Sequence, residues 1–325
     1  MEENKNIIII LLITLIILFI IFFNLMNKKI IKNTINTNIN VNKKHLYNDI
    51  TFLTSINPPR NYKNTESLDK CADYIYNEFK KTNFFLVKFQ KYLVEENEYK
   101  NIIASCGPKN TERIIIGAHY DVCNEQPGAD DNASAVAGLL EIARTISELK
   151  PNLKSRIDFV AYTLEEPPFF ETEFMGSIVH ANFLSKSNIK IKIMICLEMI
   201  GFFSDKKNTQ KYPLPILKLF YPNRGNFIAI VSKSNSKKMV KKIKQNIKQV
   251  AKIDVQSLTT PVVMPGINLS DHQSYWKYNY KALMITDTSF YRNPNYHQKT
   301  DTINTLDFDK MKEVVKGIYW AIINL

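Results

Sequence analysis

From residue 45 to the C-terminus, short apolar runs alternate with segments whose apolar residues recur at helical spacing. This alternation constrains the fold more than any other feature of the chain. Residues 84–92, 100–106, 113–117, 156–164, 191–200, 226–231 and 282–286 read as strands. Residues 68–81 space Leu68, Cys71, Ala72, Ile75 and Phe79 as one helix face, and 133–149, 175–184, the basic stretch 232–252 and 307–325 read as further helices. Strands alternating with helices predict an α/β three-layer sandwich, a mostly parallel central mixed sheet flanked by helices. No internal repeat is present.

The polar residues are placed unevenly on this framework. His119-Tyr120-Asp121 follows the run at 113–117, Glu165-Glu166 follows the run at 156–164, and Glu198 closes the run that starts at 191. In open α/β sheets, ligands bind beyond the carboxyl ends of the strands, so these groups can converge although they are distant in sequence. Alone, His119 reads as a structural histidine, but Asp121 supplies the carboxylate that commonly orients a ligating imidazole. Asp130 and Asp131 precede the helix at 133–149 and read either as caps or as ligands. Glu165-Glu166 before Pro167-Pro168 reads on its own as loop surface. That reading does not explain the recurrence at successive strand ends. Close carboxylates repel one another, and a divalent cation removes the cost. Imidazole with carboxylate suits zinc.

Composition narrows the partners. The net charge is +12, but the lysines are spread along the chain and the densest run reads as the wet face of a helix. No nucleic-acid-binding module is recognisable, so nucleic acid is not expected as a partner. Of the four cysteines, Cys71, Cys106, Cys123 and Cys196, none forms a Cys-x-x-Cys pair, so no thiolate zinc site is expected. Cys106 and Cys196, in apolar runs, are expected in the core.

Residues 7–23 are apolar except Thr14, just long enough to cross a membrane as a helix. The acidic start and the absence of a small-residue cleavage site favour an uncleaved single-pass N-terminal anchor over a signal peptide. The expected organisation is an anchor at 1–27, a polar linker at 28–44 and a catalytic domain at 45–325. Lys28, Lys29, Lys32, Lys43 and Lys44 after the span favour a cytoplasmic domain. Domains anchored in this way more often face outward, so the side stays open.

Taken together, His119-Tyr120-Asp121, Pro127-Gly128-Ala129-Asp130-Asp131-Asn132-Ala133-Ser134, Glu165-Glu166, Leu197-Glu198-Met199-Ile200-Gly201, Ser270-Asp271-His272 and Tyr296-His297 with Thr300-Asp301-Thr302 carry a resemblance. In that order they resemble the co-catalytic di-zinc exopeptidases of metallopeptidase clan MH, which include aminopeptidases and the related glutaminyl cyclases. The resemblance covers residues 45 to 325 and implies a zinc exopeptidase fold and a peptide substrate. It implies that Asp131 bridges two zinc ions, that His119 and Glu198 complete one position, and that Glu166 and His297 complete the other. Glu165 is implied as general base, with Asp121 orienting His119. The family's usual residue at 198 is Asp, so Glu198 departs from the pattern and opens a one-zinc alternative. His272 is expected to support a nearby loop, and His180 to be an ordinary helix residue. Tyr275, Trp276, Phe290 and Tyr291 are expected in the core rather than in a pocket. The leading activity is that of an aminopeptidase, with a glutaminyl cyclase, a carboxypeptidase or dipeptidase, and a non-enzymatic scaffold as alternatives. An arginine facing the site, Arg224 or Arg292, would favour a carboxypeptidase.

Overall fold

The computed structural model describes residues 38–260, 264 and 266–325. The expected anchor and most of the linker lie outside the described residues. Among the described residues, no helix is long and apolar enough to cross a membrane.

The described chain builds helices α1 (Lys43–Ser55) and α2 (Thr65–Lys81), then strands β1 (Leu86–Val94), β2 (Asn97–Cys106) and β3 (Arg113–His119). Next come α3 (Ala135–Leu149), β4 (Arg156–Tyr162), α4 (Gly176–Lys186) and β5 (Ile191–Glu198). The last third holds β6 (Phe227–Lys233), α5 (Lys237–Val250), β7 (Asp254–Thr260), α6 (His272–Lys277), β8 (Ala282–Thr286) and α7 (Phe308–Ile323). The eight strands form one mixed sheet in the order β1-β2-β4-β3-β5-β8-β6-β7.

The four central strands, β4, β3, β5 and β8, run parallel, so their carboxyl ends share one edge of the sheet. Their sequences are nearly continuous in apolar residues because both faces are covered. Side chains alternate across a strand, and the packing follows that period. In β3, Ile114, Ile116 and Ala118 enter the larger core, while Ile115 points to the opposite one. In β5, Ile193, Ile195 and Leu197 face the first core, and Met194 and Cys196 the second. The larger core takes residues from α1, α2, α3, α5 and α7; Ala181 and Leu184 of α4 with Tyr275 and Trp276 of α6 close the other.

The sheet is mixed, as expected, with its antiparallel pairs toward the edges. β1 and β2 pair antiparallel, as do β2 and β4, and β6 runs antiparallel to β8 before pairing parallel with β7. The reversal at β8–β6 brings the amino ends of β6 and β7 to the edge where the central strands end.

Three elements carried no clear periodicity in the sequence: α1, β7 and the short α6. Packing also starts before residue 45, since Ile39 and Val41 are buried in the larger core. Helix α1 docks on α3 through polar contacts. Asn42 N–H donates to Glu141 at 2.6 Å, and Arg144 forms a bidentate pair with Asp49 at 2.7 and 2.9 Å.

One glycine shows why the strand carrying His119 has the composition it does. A Cβ on Gly117 would meet the Tyr162 ring of the neighbouring strand at 2.2 Å. Without that atom, β3 and β4 stay in register up to His119 opposite Tyr162.

Candidate metal centre

The carboxyl ends of β3, β4 and β5 each deliver part of one cluster. His119 is the last residue of β3, Glu198 the last of β5, and Glu165 and Glu166 follow β4. Asp131 comes from an irregular turn at Ala129–Ser134, where its backbone leaves helical geometry. The helix expected from residue 133 therefore starts at Ala135, and neither aspartate caps it. His297 arrives on the loop between β8 and α7.

The ligating atoms group around Asp131. His119 Nε2 lies 3.4 Å from Asp131 Oδ1 and 3.4 Å from Glu198 Oε2. On the other side, His297 Nε2 lies 3.2 Å from Asp131 Oδ2 and 3.3 Å from Glu166 Oε2. Glu165 Oε2 stands 3.8 Å from His119 Nε2. A tetrahedral site with bonds of about 2.0–2.1 Å has edges of about 3.3–3.4 Å, close to these separations. Both oxygens of Asp131, Glu166 Oε1 and His297 Nε2 are buried without a hydrogen-bond partner. Buried polar atoms are otherwise almost always paired. The donor set therefore fits divalent cations on either side of a shared Asp131.

Electrostatics point the same way. Burial, opposed by His119 and reinforced by Glu166 and Glu198, pushes the Glu165 carboxyl well above its usual range. Burial and the Asp131 charge raise Glu166 to about 8, against His297. Burial also raises Glu198, with His119 opposing. Asp131 moves the other way: burial works against it, but His119 and His297 hold it below the usual range. Without cations, burial and mutual repulsion favour the protonated forms of Glu165, Glu166 and Glu198, while Asp131 between the two imidazoles favours the ionised form.

Neighbouring groups fix these side chains. The Asp121 carboxylate accepts the backbone N–H groups of Glu165 at 3.1 Å and Glu166 at 3.0 Å. Its Oδ1 is 3.6 Å from His119 Nδ1, while its backbone oxygen is nearer, at 3.2 Å. Asp121 thus sets the acidic pair more directly than it sets the imidazole. Asp301 accepts the N–H groups of Asp130 and Asp131 at 3.0 Å each. Asp130 itself faces away from the cluster, accepting from Gly201 N–H and Asn293.

Ser270 and Asn132, whose individual roles the sequence left unassigned, secure Glu198. Ser270 Oγ donates to Glu198 Oε2 at 2.7 Å, and Asn132 Nδ2 at 3.2 Å. Both lie inside motifs already singled out, so their position was visible although their task was not. Arg60 gave no such signal. It is fully buried, and its guanidinium donates to the carbonyls of Leu53, Tyr120, Pro127 and Gly128. It thereby folds the loop between His119 and Asp131 into shape. Gly128 is required there, with φ at +63° and a Cβ that would meet the Asp131 carbonyl at 2.4 Å.

His272 and His180 stand outside the cluster. His272 Nε2 pairs with the Ile267 carbonyl at 2.6 Å, supporting the loop before α6, and His180 contacts Tyr275 Oη. Tyr275 and Trp276 are core residues as expected. Phe290 and Tyr291 are not: both line a cavity of about 120 Å³ that opens onto Asp131, Glu165, Glu166 and Glu198. The β6–β8 reversal builds its wall, from Phe227, Ala229, Val231 and Met284. Arg292 is buried, its Nε bonded to Gln210 and its guanidinium over the Phe227 ring at 4.6 Å, while Arg224 is exposed. Among the described residues no arginine lines the cavity, whereas Lys211 does.

Comparison with known proteins agrees with this geometry. The model of peptidase family M28 matches residues 101–321. An uncharacterised Escherichia coli protein, YfbL, is 41% identical over 86% of this chain and 88% of its own length. A probable leucine aminopeptidase of Arthroderma otae is 26% identical over 86% of this chain and 71% of its own. Among solved structures, a zinc aminopeptidase from Bacillus subtilis superposes with a TM-score of 0.70 at 14% identity, covering 89% of this chain and 96% of that one, a likeness of fold. The chain belongs to peptidase family M28.

Proposed function

We propose that this protein is a zinc-dependent aminopeptidase that removes an apolar residue from the free N-terminus of a peptide. One observation carries the reading: a cluster of paired donors sharing Asp131 opens directly into a largely apolar cavity. His119, Glu198 and Asp131 would hold one zinc, and His297, Glu166 and Asp131 the other. When bound, the zinc ions polarise the scissile carbonyl and lower the pKa of the attacking water. Glu165 accepts the proton of that water on its carboxylate and delivers it to the leaving amine nitrogen. Asp121 holds Glu165 and Glu166 at their backbones, so base and ligand keep a fixed spacing. The carboxylates also attract the ammonium of a free N-terminus. A carboxypeptidase would require a cation in the cavity wall for the substrate carboxylate; neither Arg224 nor Arg292 lines it, and Lys211, which does, is the residue whose substitution tests that alternative.

Metal analysis after mild purification should return close to two zincs per chain. A panel of amino-acid naphthylamides, N-blocked dipeptides and glutaminyl peptides should show turnover of the first class. Zinc-free protein, or turnover confined to glutaminyl cyclisation, would overturn the reading. The apolar run at 7–23 supports a single membrane anchor for the domain, which fractionation with and without detergent tests.

A further inference from the structure

The sequence argued against a sulfur ligand because no two cysteines are close in the chain. The fold nevertheless brings one cysteine to the cluster. Cys123 sits on the Arg60-bound loop, four residues after His119, and its side chain turns toward the second half of the cluster. One donor atom each from Cys123, Glu166 and His297 lie within 4.8 Å of one another. Cys123 is buried and free. Its sulfur accepts a hydrogen bond from the Asn124 amide at 3.3 Å, which leaves a further lone pair for a metal. Glu166, 5% exposed, has Oε1 without a partner, and His297 Nε2 also lacks one. Two unpaired donors and a thiol therefore surround one small volume.

We propose that Cys123 is an additional protein ligand at the metal position held by His297, Glu166 and Asp131. This rests on the reading that this position binds a metal. The sulfur–metal bond forms as the thiol proton passes to solvent. A thiolate bond of about 2.3 Å beside nitrogen or oxygen bonds of about 2.05 Å requires separations of about 3.5 Å. The observed limit of 4.8 Å is wider than that spacing, so the sulfur has to move toward the metal as it binds. The two metal positions then differ in kind. The His119–Glu198 position has nitrogen and oxygen donors only. The His297–Glu166 position gains a soft donor that favours zinc, cobalt or cadmium over manganese or magnesium.

The experiment uses the full chain with its zinc removed and replaced by cobalt(II) alone. Visible absorption from cobalt reports that metal is bound, and near-ultraviolet sulfur-to-cobalt charge transfer reports a thiolate ligand. The expected result is both signals in the wild type, with the charge-transfer band lost in Cys123→Ser while Cys71, Cys106 and Cys196 remain. Competition with a chelator should show the second cobalt weakened about 10-fold or more in that variant. Circular dichroism of the metal-free variant controls for folding, and Cys123→Ala gives a second variant should serine disturb the loop. Visible cobalt bands without charge transfer, or a band that survives in both variants, would overturn the role of Cys123 and leave the metal position standing. Absence of cobalt binding altogether would overturn the metal position as well.

Discussion

Restoring the family's usual residue at position 198 should weaken metal binding in this protein. Glu198 places Oε2 at 2.7 Å from Ser270 Oγ, 3.2 Å from Asn132 Nδ2 and 3.4 Å from His119 Nε2. In Glu198→Asp the carboxylate withdraws by up to about 1.5 Å, one carbon–carbon bond. The Ser270 contact then exceeds hydrogen-bonding distance. A hydrogen bond to a charged group contributes about 1.5–3 kcal/mol, which converts to roughly a 10- to 100-fold loss of zinc affinity. Zinc titration of the metal-free protein against a chromogenic chelator measures it. Ser270→Ala should lose a similar amount, and the double variant should lose little more, because both remove the same contact. Zinc binding in Glu198→Asp as tight as in the wild type, or additive losses, would refute the reasoning.

Glu165→Gln should retain both metals and lose turnover by about 10²- to 10⁴-fold, the range for a general base; metal analysis beside a peptidase assay checks it. The metal-free protein should lose stability as pH rises from about 5 to about 8. Glu166 at about 8 and Asp301 at about 7 are raised above unfolded values near about 4, so across that interval the folded state holds protons the unfolded chain has released. His297, raised to about 10, adds stability at low pH that is lost as pH rises through that value, in the same direction. Thermal unfolding in chelator across the interval should show the decline, and zinc should reverse it because its ligands bind deprotonated. Ala229→Phe, which fills the cavity wall, should cut kcat/KM for leucyl substrates about 10-fold or more while sparing alanyl ones, read from the naphthylamide panel.

The apolar runs at 113–117 and 191–200 foretold β3 and β5 because strands buried on both faces have to be apolar throughout. Their polar endings foretold His119 and Glu198, since such residues are costly anywhere but at the end of a buried strand. Helix α1 was hidden by its mixed composition, its docking resting on Glu141 and Arg144 of α3 as much as on apolar burial. The short α6 has too few turns to show a period. Ser270, Asn132 and Arg60 act through hydrogen bonds to residues far along the chain, and sequence spacing records no such pairing. Cys123 shows the same limit in sharper form. A rule based on nearby cysteine pairs is silent about a thiol that meets Glu166 and His297 only in space.

The buried guanidinium of Arg60 has a consequence for how the enzyme assembles. The proposed zinc ligands start at His119, yet the loop between His119 and Asp131 closes on an arginine between α1 and α2. The upstream segment thus acts as a template that must be docked before the donors acquire their spacing. Zinc uptake by a refolding chain would report that docking rather than sheet formation. A proteolytic cut near residue 60 would release metal while leaving each ligand in place along the chain.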